Sequence, residues 1–342
     1  MEDLPLIGLA IVVMLGLVGL TLGLAMRIAR KNRGLAVGLV ALLVMAVLYN
    51  VYDNNRIVVK QEIVAVPGLP AAFEGFTILQ ISDLHGKSFG PDQVRLTNLI
   101  NGLDYDMIAF TGDMETGARS FTPFLDLLDG LADRENMFYV NGNEDLAFNF
   151  LSGVKSETGK ILEARGCILL THPYPLRREG ATLWLGNDLS KSFRGLNVYA
   201  GMPKFFFASA AQYQAYSQHF AEVEAITAPI RNNQDIKIAL THIPYLRTDL
   251  EQGEKRPNIL DYDLILAGHY HGGQIRVPGY GAVYIPVWAS RSDHFFPDQS
   301  YVSGLVEHQA TQQYISRGLG ASNVPFRLFN TPEINLIILQ AR

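Results

Sequence analysis

Cysteine and excess positive charge are what this sequence lacks most plainly. One cysteine, Cys167, stands among 342 residues, so no intramolecular disulfide can form. It lies in the apolar run 167–170, which predicts a buried and inert thiol. The 28 Lys and Arg are outnumbered by 33 Asp and Glu, which gives a formal net charge of −5. A general nucleic-acid binder needs positive charge against phosphates, and this class is therefore excluded.

Internal repeats and low-complexity tracts are absent as well. Beyond residue 75 the composition does not shift again, so residues 76–342 are predicted to form one domain around one core. Residues 53–75 are predicted to be a linker followed by a first strand, because 56–66 is rich in β-branched residues.

Charged residues are missing from two N-terminal stretches, 6–26 and 34–52. A transmembrane helix needs about 20 apolar residues, with a lower limit of about 17. A cleaved signal peptide is disfavoured, because no basic residue precedes the first stretch and no small-residue cleavage pattern follows it. Residues 1–52 are therefore predicted to be a membrane anchor made of two transmembrane helices, 6–26 and 34–52.

The charges around these stretches predict the orientation. Basic residues are concentrated in the short loop between the two stretches and are absent from residues 1–5. Because short basic loops stay in the cytoplasm, the domain that follows the two helices is expected on the extracytoplasmic side of the membrane. Arg56 and Lys60, just after the second stretch, oppose this orientation.

The remainder of the chain has the pattern of an α/β fold. Short apolar runs end abruptly in polar residues at 77–82, 107–111, 137–140, 236–240 and 264–267. Helix-like apolar faces lie between the first three runs, at a spacing typical of βαβ units. Further strands are predicted within 167–189 and a long helix within 208–227.

Each of these apolar runs is followed by side chains that bind metals. In chain order they are Asp83 and His85, Asp113, Asn143, His242, and His269 with His271. Asp83 and His85 are two residues apart, so in an extended segment they are expected to reach one ion together. Ligands gather beyond the carboxyl ends of strands in α/β sheets, where all five segments deliver these groups. Any one motif is common in turns, whereas all five in this order indicate a metal centre.

The ordered motifs resemble those of the calcineurin-like metallophosphoesterase superfamily, over residues 76–339. That signature reads Asp-x-His, Gly-Asp, Gly-Asn-His-Asp or -Glu, His, and Gly-His-x-His. The stretches 272–279, 314–320 and 325–338 resemble the bacterial membrane-associated or exported branch of this superfamily. The resemblance implies a four-layer α/β/β/α sandwich and two divalent metal ions (Mn, Fe or Zn).

The resemblance also implies a role for each motif residue. Asp83, His85 and His271 would bind one ion, and Asn143, His242 and His269 the other. Asp113 would bridge the two ions, and Asp113, Asn143 and Glu144 would be the catalytic residues. Glu144 departs from the family pattern, which has His at that position. A carboxylate there would repel a phosphate dianion unless it were protonated or bound to a cation.

Together these features predict a membrane-anchored phosphohydrolase that cleaves a phosphoester, phosphodiester or pyrophosphate bond with metal-activated hydroxide. Its substrate would be phosphorylated and lipid-linked, since the anchor holds the domain at the membrane. One alternative is a UDP-2,3-diacylglucosamine-type pyrophosphatase of lipid A synthesis. Another is an inactive membrane module that binds phosphorylated ligands, as Glu144 would suggest. The sequence does not indicate the oligomeric state.

Four other features of the sequence have more than one interpretation or no assigned role. Arg317 could meet substrate phosphate or serve the structure. The aromatic runs 205–207 and 295–296 could face lipid, although core packing is the favoured expectation. Residues 193–234 could form an insertion over the site. Four histidines outside the signature receive no role: His172, His219, His294 and His308.

Overall fold

The computed structural model describes most of the chain after the N-terminal region. The described residues are 16, 19–21, 23–28, 30, 32–115, 121–145, 147–149, 151–187, 204–231, 233–245, 262–285, 294–308, 311–322 and 326–342. Most of the first predicted membrane helix, 6–26, and part of the predicted insertion, 188–203, lie outside them.

The described elements alternate between strands and helices in the first half of the domain. In chain order they are α1 (Arg33–Asn55), β1 (Val58–Val66), β2 (Thr77–Ile81), α2 (Val94–Ile100), β3 (Met107–Thr111), α3 (Thr122–Gly130), β4 (Met137–Val140), α4 (Glu157–Glu163), β5 (Cys167–Leu169), β6 (Tyr174–Arg178), β7 (Ala181–Asn187), α5 (Ala210–Ile230), β8 (Ile236–Leu240), β9 (Leu264–Ala267), β10 (Arg276–Val277), β11 (Gly281–Ala282), β12 (Gly304–His308), β13 (Thr311–Ile315) and β14 (Glu333–Ala341).

Two six-stranded sheets form the centre of the domain. The first has the order β1-β14-β2-β3-β4-β5, and the second has the order β12-β13-β9-β8-β7-β6. Strands β2 to β5 are parallel to one another, as are β7, β8, β9 and β13. The central strands β3, β4, β8 and β9 are buried along their whole length, which explains why they are continuous apolar runs. The mixed α/β fold is therefore confirmed.

The sheets pack face to face around one apolar core. That core joins residues of the first sheet, such as Ile78 and Phe138, to residues of the second, such as Leu183 and Ile238. A second apolar core covers the opposite face of the first sheet and includes residues of α2, α3 and α4. On the outer face of the second sheet, Ile230 at the end of α5 packs with Ala239.

Local signals in the sequence explain where the helices begin. The Ser156 hydroxyl accepts a hydrogen bond from the Gly159 amide, 3.1 Å away, at the start of α4. At the start of α5 the Ser209 hydroxyl accepts from the Gln212 amide at 3.2 Å. Such side chains satisfy amides that have no partner inside the helix. α5 begins two residues later and ends three residues later than the predicted helix, at Ile230.

The second predicted membrane helix is present and longer than expected. α1 has 23 residues with a mean hydropathy of 2.3 over its best window, of which 6% is buried, so its length and composition allow it to cross a membrane. The helix continues three residues past the predicted span, to Asn55, before β1 begins, and the end of the membrane span at residue 52 stays a prediction. Upstream, the structure describes a shorter apolar helix, Gly19–Ile28, and a second spanning helix stays a prediction.

The last turns of α1 are attached to the domain by polar contacts. Asn50 and Asn54 donate side-chain hydrogen bonds to the Arg327 carbonyl, at 2.6 and 2.7 Å. The Arg327 amide donates to the Asn54 side chain at 2.7 Å. Asp53, only 2% exposed, accepts from the Thr331 hydroxyl at 2.6 Å. The end of the apolar helix is thus held on the surface of the domain.

Candidate metal centre

The predicted metal-binding side chains lie beyond the carboxyl ends of five strands. Residues after β2, β3 and β4 come from the first sheet, and residues after β8 and β9 come from the second. The parallel strands of each sheet end at the same edge, which brings these residues to one place. Asp83, His85, Asp113, His242, His269 and His271 are all buried there, each exposed by 6% or less.

These six residues form two groups of three. In the first triad, Asp83, His85 and His271, the potential ligand atoms all lie within 4.8 Å of one another. The same holds for the second triad, which consists of Asp113, His242 and His269. Four imidazoles and two carboxylates suit divalent transition metals such as Zn, Mn or Fe, so the donor set fits the metals that the sequence indicates.

Asp113 lies between the two triads. Its Oδ2 atom is 3.1 Å from His242 Nε2 in its own triad and 3.5 Å from His85 Nε2 in the first triad. Within the first triad, His271 Nε2 is 3.4 Å from Asp83 Oδ1 and 3.1 Å from His85 Nε2. Within the second triad, His269 Nδ1 is 3.1 Å from His242 Nε2. The two groups therefore form one continuous cluster joined by a carboxylate.

Neighbouring polar groups orient the triad side chains. The Thr111 carbonyl is 2.9 Å from His242 Nδ1 and accepts a hydrogen bond from it, which directs Nε2 toward Asp113 as the nitrogen available to a metal. Ser82 donates to Asp83 Oδ2 at 2.6 Å, and the His269 amide donates to Asp83 Oδ1 at 3.0 Å. The ring of His242 and the carboxylate of Asp83 are thereby held in one orientation.

The backbone at five of the six residues is left-handed. The φ angles are 53° at Asp83, 49° at His85, 54° at Asp113, 70° at His269 and 50° at His271. The expectation that Asp83 and His85 share a side because their segment is extended is therefore wrong, although both do join the first triad. A left-handed backbone costs about 1–2 kcal/mol per ordinary residue, and such strain concentrates at functional sites.

Two glycines allow this close packing. A Cβ at Gly142 would lie 2.0 Å from Asp113 Oδ1, and a Cβ at Gly268 would lie 1.9 Å from the Ser82 hydroxyl oxygen. Neither distance is compatible with a side chain, because the obstructing atoms belong to groups that are themselves held in place. The glycines before Asn143 and His269 are thus required by the approach of the backbone to the triads.

Burial sets the protonation behaviour of the cluster. It raises the pKa of Asp83 to about 6, an effect that the nearby His242 partly opposes. Burial alone would lower the pKa of His242, but the charge of Asp113 and its hydrogen bond raise that pKa to about 10. Burial and the neighbouring His85 lower the pKa of His271 well below its usual value. Buried carboxylates of this kind need a cation within reach.

Asn143 and Glu144 lie at the exposed rim of the cluster. The Asn143 amide nitrogen is 3.3 Å from the Glu144 carboxylate, and both side chains are exposed. The backbone amide of Glu144 donates to Asp113 Oδ1 at 2.9 Å. The structure thus brings six of the predicted ligands into the triads and places Asn143 beside them, in contact with Glu144.

Asp145 is a buried residue that the sequence reasoning missed. Its Oδ2 atom accepts hydrogen bonds from the Asp113 amide at 2.6 Å and the Gly142 amide at 2.9 Å. Oδ1 accepts from the Glu115 amide at 3.2 Å. Burial and the charge of Asp113 raise the pKa of Asp145 to about 7. The acidic residue that closes the Gly-Asn-x-Asp motif was the available signal, and its role is to hold two loops together.

Arg327 is a second residue that the sequence did not reveal. It is fully buried, and its guanidinium donates to the carbonyls of Gly320 at 2.6 Å and His271 at 3.2 Å. Burial lowers its pKa to about 10. Because Asn50 and Asn54 of α1 donate to the Arg327 carbonyl, this residue links the apolar helix directly to the loop of the first triad.

The structure also bears on the other predictions on single residues. Arg317 lies beside the 271–273 turn with its Nε 3.7 Å from the Glu333 carboxylate, and its contact with substrate phosphate stays a prediction. Core packing is wrong for Phe205, Phe295 and Phe296, which are 80%, 53% and 68% exposed. Cys167 is buried, and burial raises the pKa of its thiol to about 12, so the predicted inert thiol is confirmed.

Comparisons with known proteins agree with this geometry. Residues 76–273, more than half of the chain, match the family model described as calcineurin-like phosphoesterase, and this range contains both triads. The Bacillus subtilis uncharacterized metallophosphoesterase YkoQ is 26% identical over 270 residues, covering 78% of this chain and 84% of that protein. The Escherichia coli phosphodiesterase YaeI is 26% identical over 275 residues, covering 77% and 82%. The Danio rerio transmembrane protein with metallophosphoesterase domain is 24% identical over 311 residues, covering 90% and 62%.

Proposed function

The chain belongs to the calcineurin-like phosphoesterase family, and from this we propose a hydrolase with a pair of metal ions that acts at a membrane surface. Membership makes it a metal-dependent phosphoester hydrolase. In the proposed arrangement the first triad holds one divalent ion, and His242 and His269 hold the other together with Asn143. Asp113 bridges the two ions. Mn, Fe and Zn suit this mixture of imidazole, carboxylate and amide ligands.

The position of Asp113 is the observation that carries the proposed metal pair. A single carboxylate oxygen within 3.5 Å of one histidine from each triad is what a bridging ligand requires. When bound, a pair of divalent ions supplies Lewis-acid polarisation of the phosphate and an activated water. The chain itself supplies ligands whose backbone is strained. The Asp145 carboxylate accepts a hydrogen bond from the Asp113 amide and so fixes the backbone at Asp113. Ligands that are already positioned avoid reorganisation during the reaction.

The surroundings of α1 support a substrate at the membrane surface. Exposed apolar side chains cluster on neighbouring segments next to the end of this helix; this aromatic patch consists of Val277, Tyr280, Phe295, Phe296 and Phe329. The rings of Tyr280 and Phe296 are 5.9 Å apart, and Phe329 lies 6.5 Å from Tyr49 of α1. The Arg276 amide donates to the Leu328 carbonyl at 2.9 Å, which joins the segments. The patch is therefore continuous with the helix.

The aromatic patch also adjoins the first triad along the chain. The 271–273 turn, which begins with the triad residue His271, leads directly into β10, which ends at Val277. Aromatic side chains prefer the level of the lipid headgroups. We therefore propose that the patch rests on the bilayer, so that the metal pair acts on a lipid-linked phosphoester. The domain is proposed to lie on the extracytoplasmic side, as the basic loop before α1 suggests.

The first experiment measures hydrolysis of bis(p-nitrophenyl) phosphate by detergent-purified full-length protein, with and without added Mn²⁺. We expect metal-dependent turnover that falls at least about a thousandfold in Asp113→Asn, because the bridging charge is lost. Asp129→Asn, an exposed carboxylate of α3, is the matched control and should retain activity. A folded, metal-loaded protein without turnover would contradict the proposed enzyme.

A second experiment tests the lipid-linked substrate. The double variant Phe295→Ser and Phe296→Ser should lose most of its activity on an anionic phospholipid in vesicles, while its activity on the soluble diester stays within about twofold, because only docking is affected. Phe205→Ser is the matched control, since Phe205 is 80% exposed and lies outside the patch. Equal activity of wild type and double variant on vesicles would contradict the membrane-surface role.

Glu144 favours one other function, a module that binds phosphorylated ligands without cleaving them. Its carboxylate stands at the rim where the family pattern has His, and it is not paired with a cation in the contacts that the structure describes. In that case the wild type would retain inorganic phosphate in a metal-dependent manner and would show no turnover of either substrate. The two experiments above therefore separate the enzyme from the binding module.

A further inference from the structure

A third group of metal-binding side chains lies apart from the two triads. His172 follows β5, the edge strand of the first sheet, while His219 and Glu222 are one turn apart on α5. The potential ligand atoms of this rim triad, His172, His219 and Glu222, all lie within 4.8 Å of one another. None of the three belongs to the phosphoesterase signature, so the sequence pattern did not suggest a role for them.

The geometry of the rim triad suits a metal better than a hydrogen bond. His172 Nε2 is 3.4 Å from the Glu222 carboxylate, which is long for a charge-assisted hydrogen bond. Ligands about 2.0–2.1 Å from a tetrahedral zinc ion are separated by about 3.3 Å. The rings of His172 and His219 meet edge to face with centroids 4.7 Å apart. The His172–Glu222 distance thus matches the spacing of two zinc ligands, and the His219 nitrogen lies within 4.8 Å of both.

A neighbouring hydroxyl orients one of the imidazoles. The Thr171 hydroxyl oxygen is 3.0 Å from His172 Nδ1. If Nδ1 carries the proton, Nε2 has its lone pair directed at Glu222, as in other metal-binding histidines. A neutral imidazole is the form that binds a metal.

We propose that the rim triad binds one Zn²⁺ ion, separate from the catalytic pair. Two imidazoles and one carboxylate are a common zinc donor set, and the half-exposed Glu222 leaves room for water as a fourth ligand. The ion would fasten α5 to the end of β5.

The proposed ion would also hold α5 against the loop that follows the catalytic turn. A Cβ at Gly153 would lie 2.7 Å from His219 Cε1, which shows how closely the loop approaches the helix. Leu151 of the same loop packs with Tyr216 of α5 and with the aromatic residues around it. The zinc ion would therefore set the position of the helical insertion at the rim of the active site.

The test measures metal content in full-length detergent-purified protein loaded with excess Zn²⁺ and then desalted. Wild type should hold three equivalents. Glu222→Gln and His172→Gln should each hold two, because removing a ligand weakens binding of the third ion by at least about tenfold. Glu157→Gln is the matched control, an exposed glutamate on α4 that should still hold three. Hydrogen exchange supplies a second readout, since Zn²⁺ should slow exchange of residues 210–230 in wild type and Glu157→Gln and leave it unchanged in His172→Gln and Glu222→Gln.

The outcomes distinguish this zinc site from the catalytic pair. Asp113→Asn should lose ions from the pair and retain the third, whereas His172→Gln should do the reverse. A His172→Gln variant that holds as many ions as wild type would overturn the zinc site, whatever the total number of ions in wild type. A loss of one ion in His172→Gln with no loss in Asp113→Asn would support the zinc site and contradict the pair.

Discussion

The first and second triads, together called the paired triads, contain the same kinds of side chain as the rim triad but in different surroundings. The paired triads are buried, stand at strand ends and have a left-handed backbone at five positions. In the rim triad, His172 and Glu222 have side chains that are 34% and 50% exposed, and two of the three ligands lie on an ordinary helix. Solvent screens the charge of the rim triad, whereas charges in the paired triads must be balanced within the protein.

This difference indicates what each proposed metal site is suited for. A strained and buried constellation resists reorganisation, which is what stabilisation of a transition state requires. A half-exposed site on a helix is suited to joining two surfaces, because the ion contributes binding free energy without burying unpaired charge. Changes in the paired triads are therefore expected to affect turnover, and changes in the rim triad are expected to affect metal content and local stability.

The largest effect after loss of Asp113 is expected from Gly142→Ala. A Cβ there would lie 2.0 Å from Asp113 Oδ1, so the Asp113 carboxylate must move. A displacement of about 1 Å costs roughly a hundredfold in rate, and we expect at least this loss in kcat on the soluble diester. Gly102→Ala is the control, because its Cβ would meet only ordinary contacts at 3.6 Å. Equal kcat values for the two variants would show that the paired triads tolerate movement.

An intermediate effect is expected from Asp145→Asn. The amide group would present a donor to backbone amides that now donate to the Asp145 carboxylate, so at least one buried group loses its partner. Such a loss costs about 1–3 kcal/mol in the free energy of unfolding. Urea denaturation should show this destabilisation, and turnover should fall about tenfold or more. Asp129→Asn provides the surface comparison and should change stability by no more than about 1 kcal/mol, because it removes only an exposed ion pair with Arg165.

The smallest effect is expected from Glu144→His. Its side chain is exposed, and the hydrogen bond to Asp113 comes from its backbone amide, so the triads should remain intact. Glu144→His removes the exposed carboxylate next to the two buried triads. This change should favour dianionic phosphomonoesters over monoanionic diesters by up to about tenfold in relative kcat/KM. This effect is measured as the ratio of kcat/KM for a soluble phosphomonoester to kcat/KM for the soluble diester. An unchanged ratio would exclude a role for Glu144 in substrate choice.

Much of the fold could be predicted because its signals are local. Strands β3, β4, β8 and β9 have the predicted bounds, since buried parallel strands are short apolar runs that end where polar loops begin. The aromatic residues were harder to predict. Phe205, Phe295 and Phe296 have apolar side chains that usually indicate a core, and only their place on the assembled surface shows that they are exposed.

The sequence by itself determined which residues could form the metal centre and in what order they occur. The five strand-end motifs are local, and the rule that parallel strands end at one edge brings them together. Tertiary structure alone decided that Asp113 lies between the two triads and that Asp145 clamps its loop. It also decided that Arg327 joins α1 to the first triad and that His172 faces α5. These contacts connect residues that are tens to hundreds of positions apart, and a pattern confined to a short stretch of sequence carries no information about them.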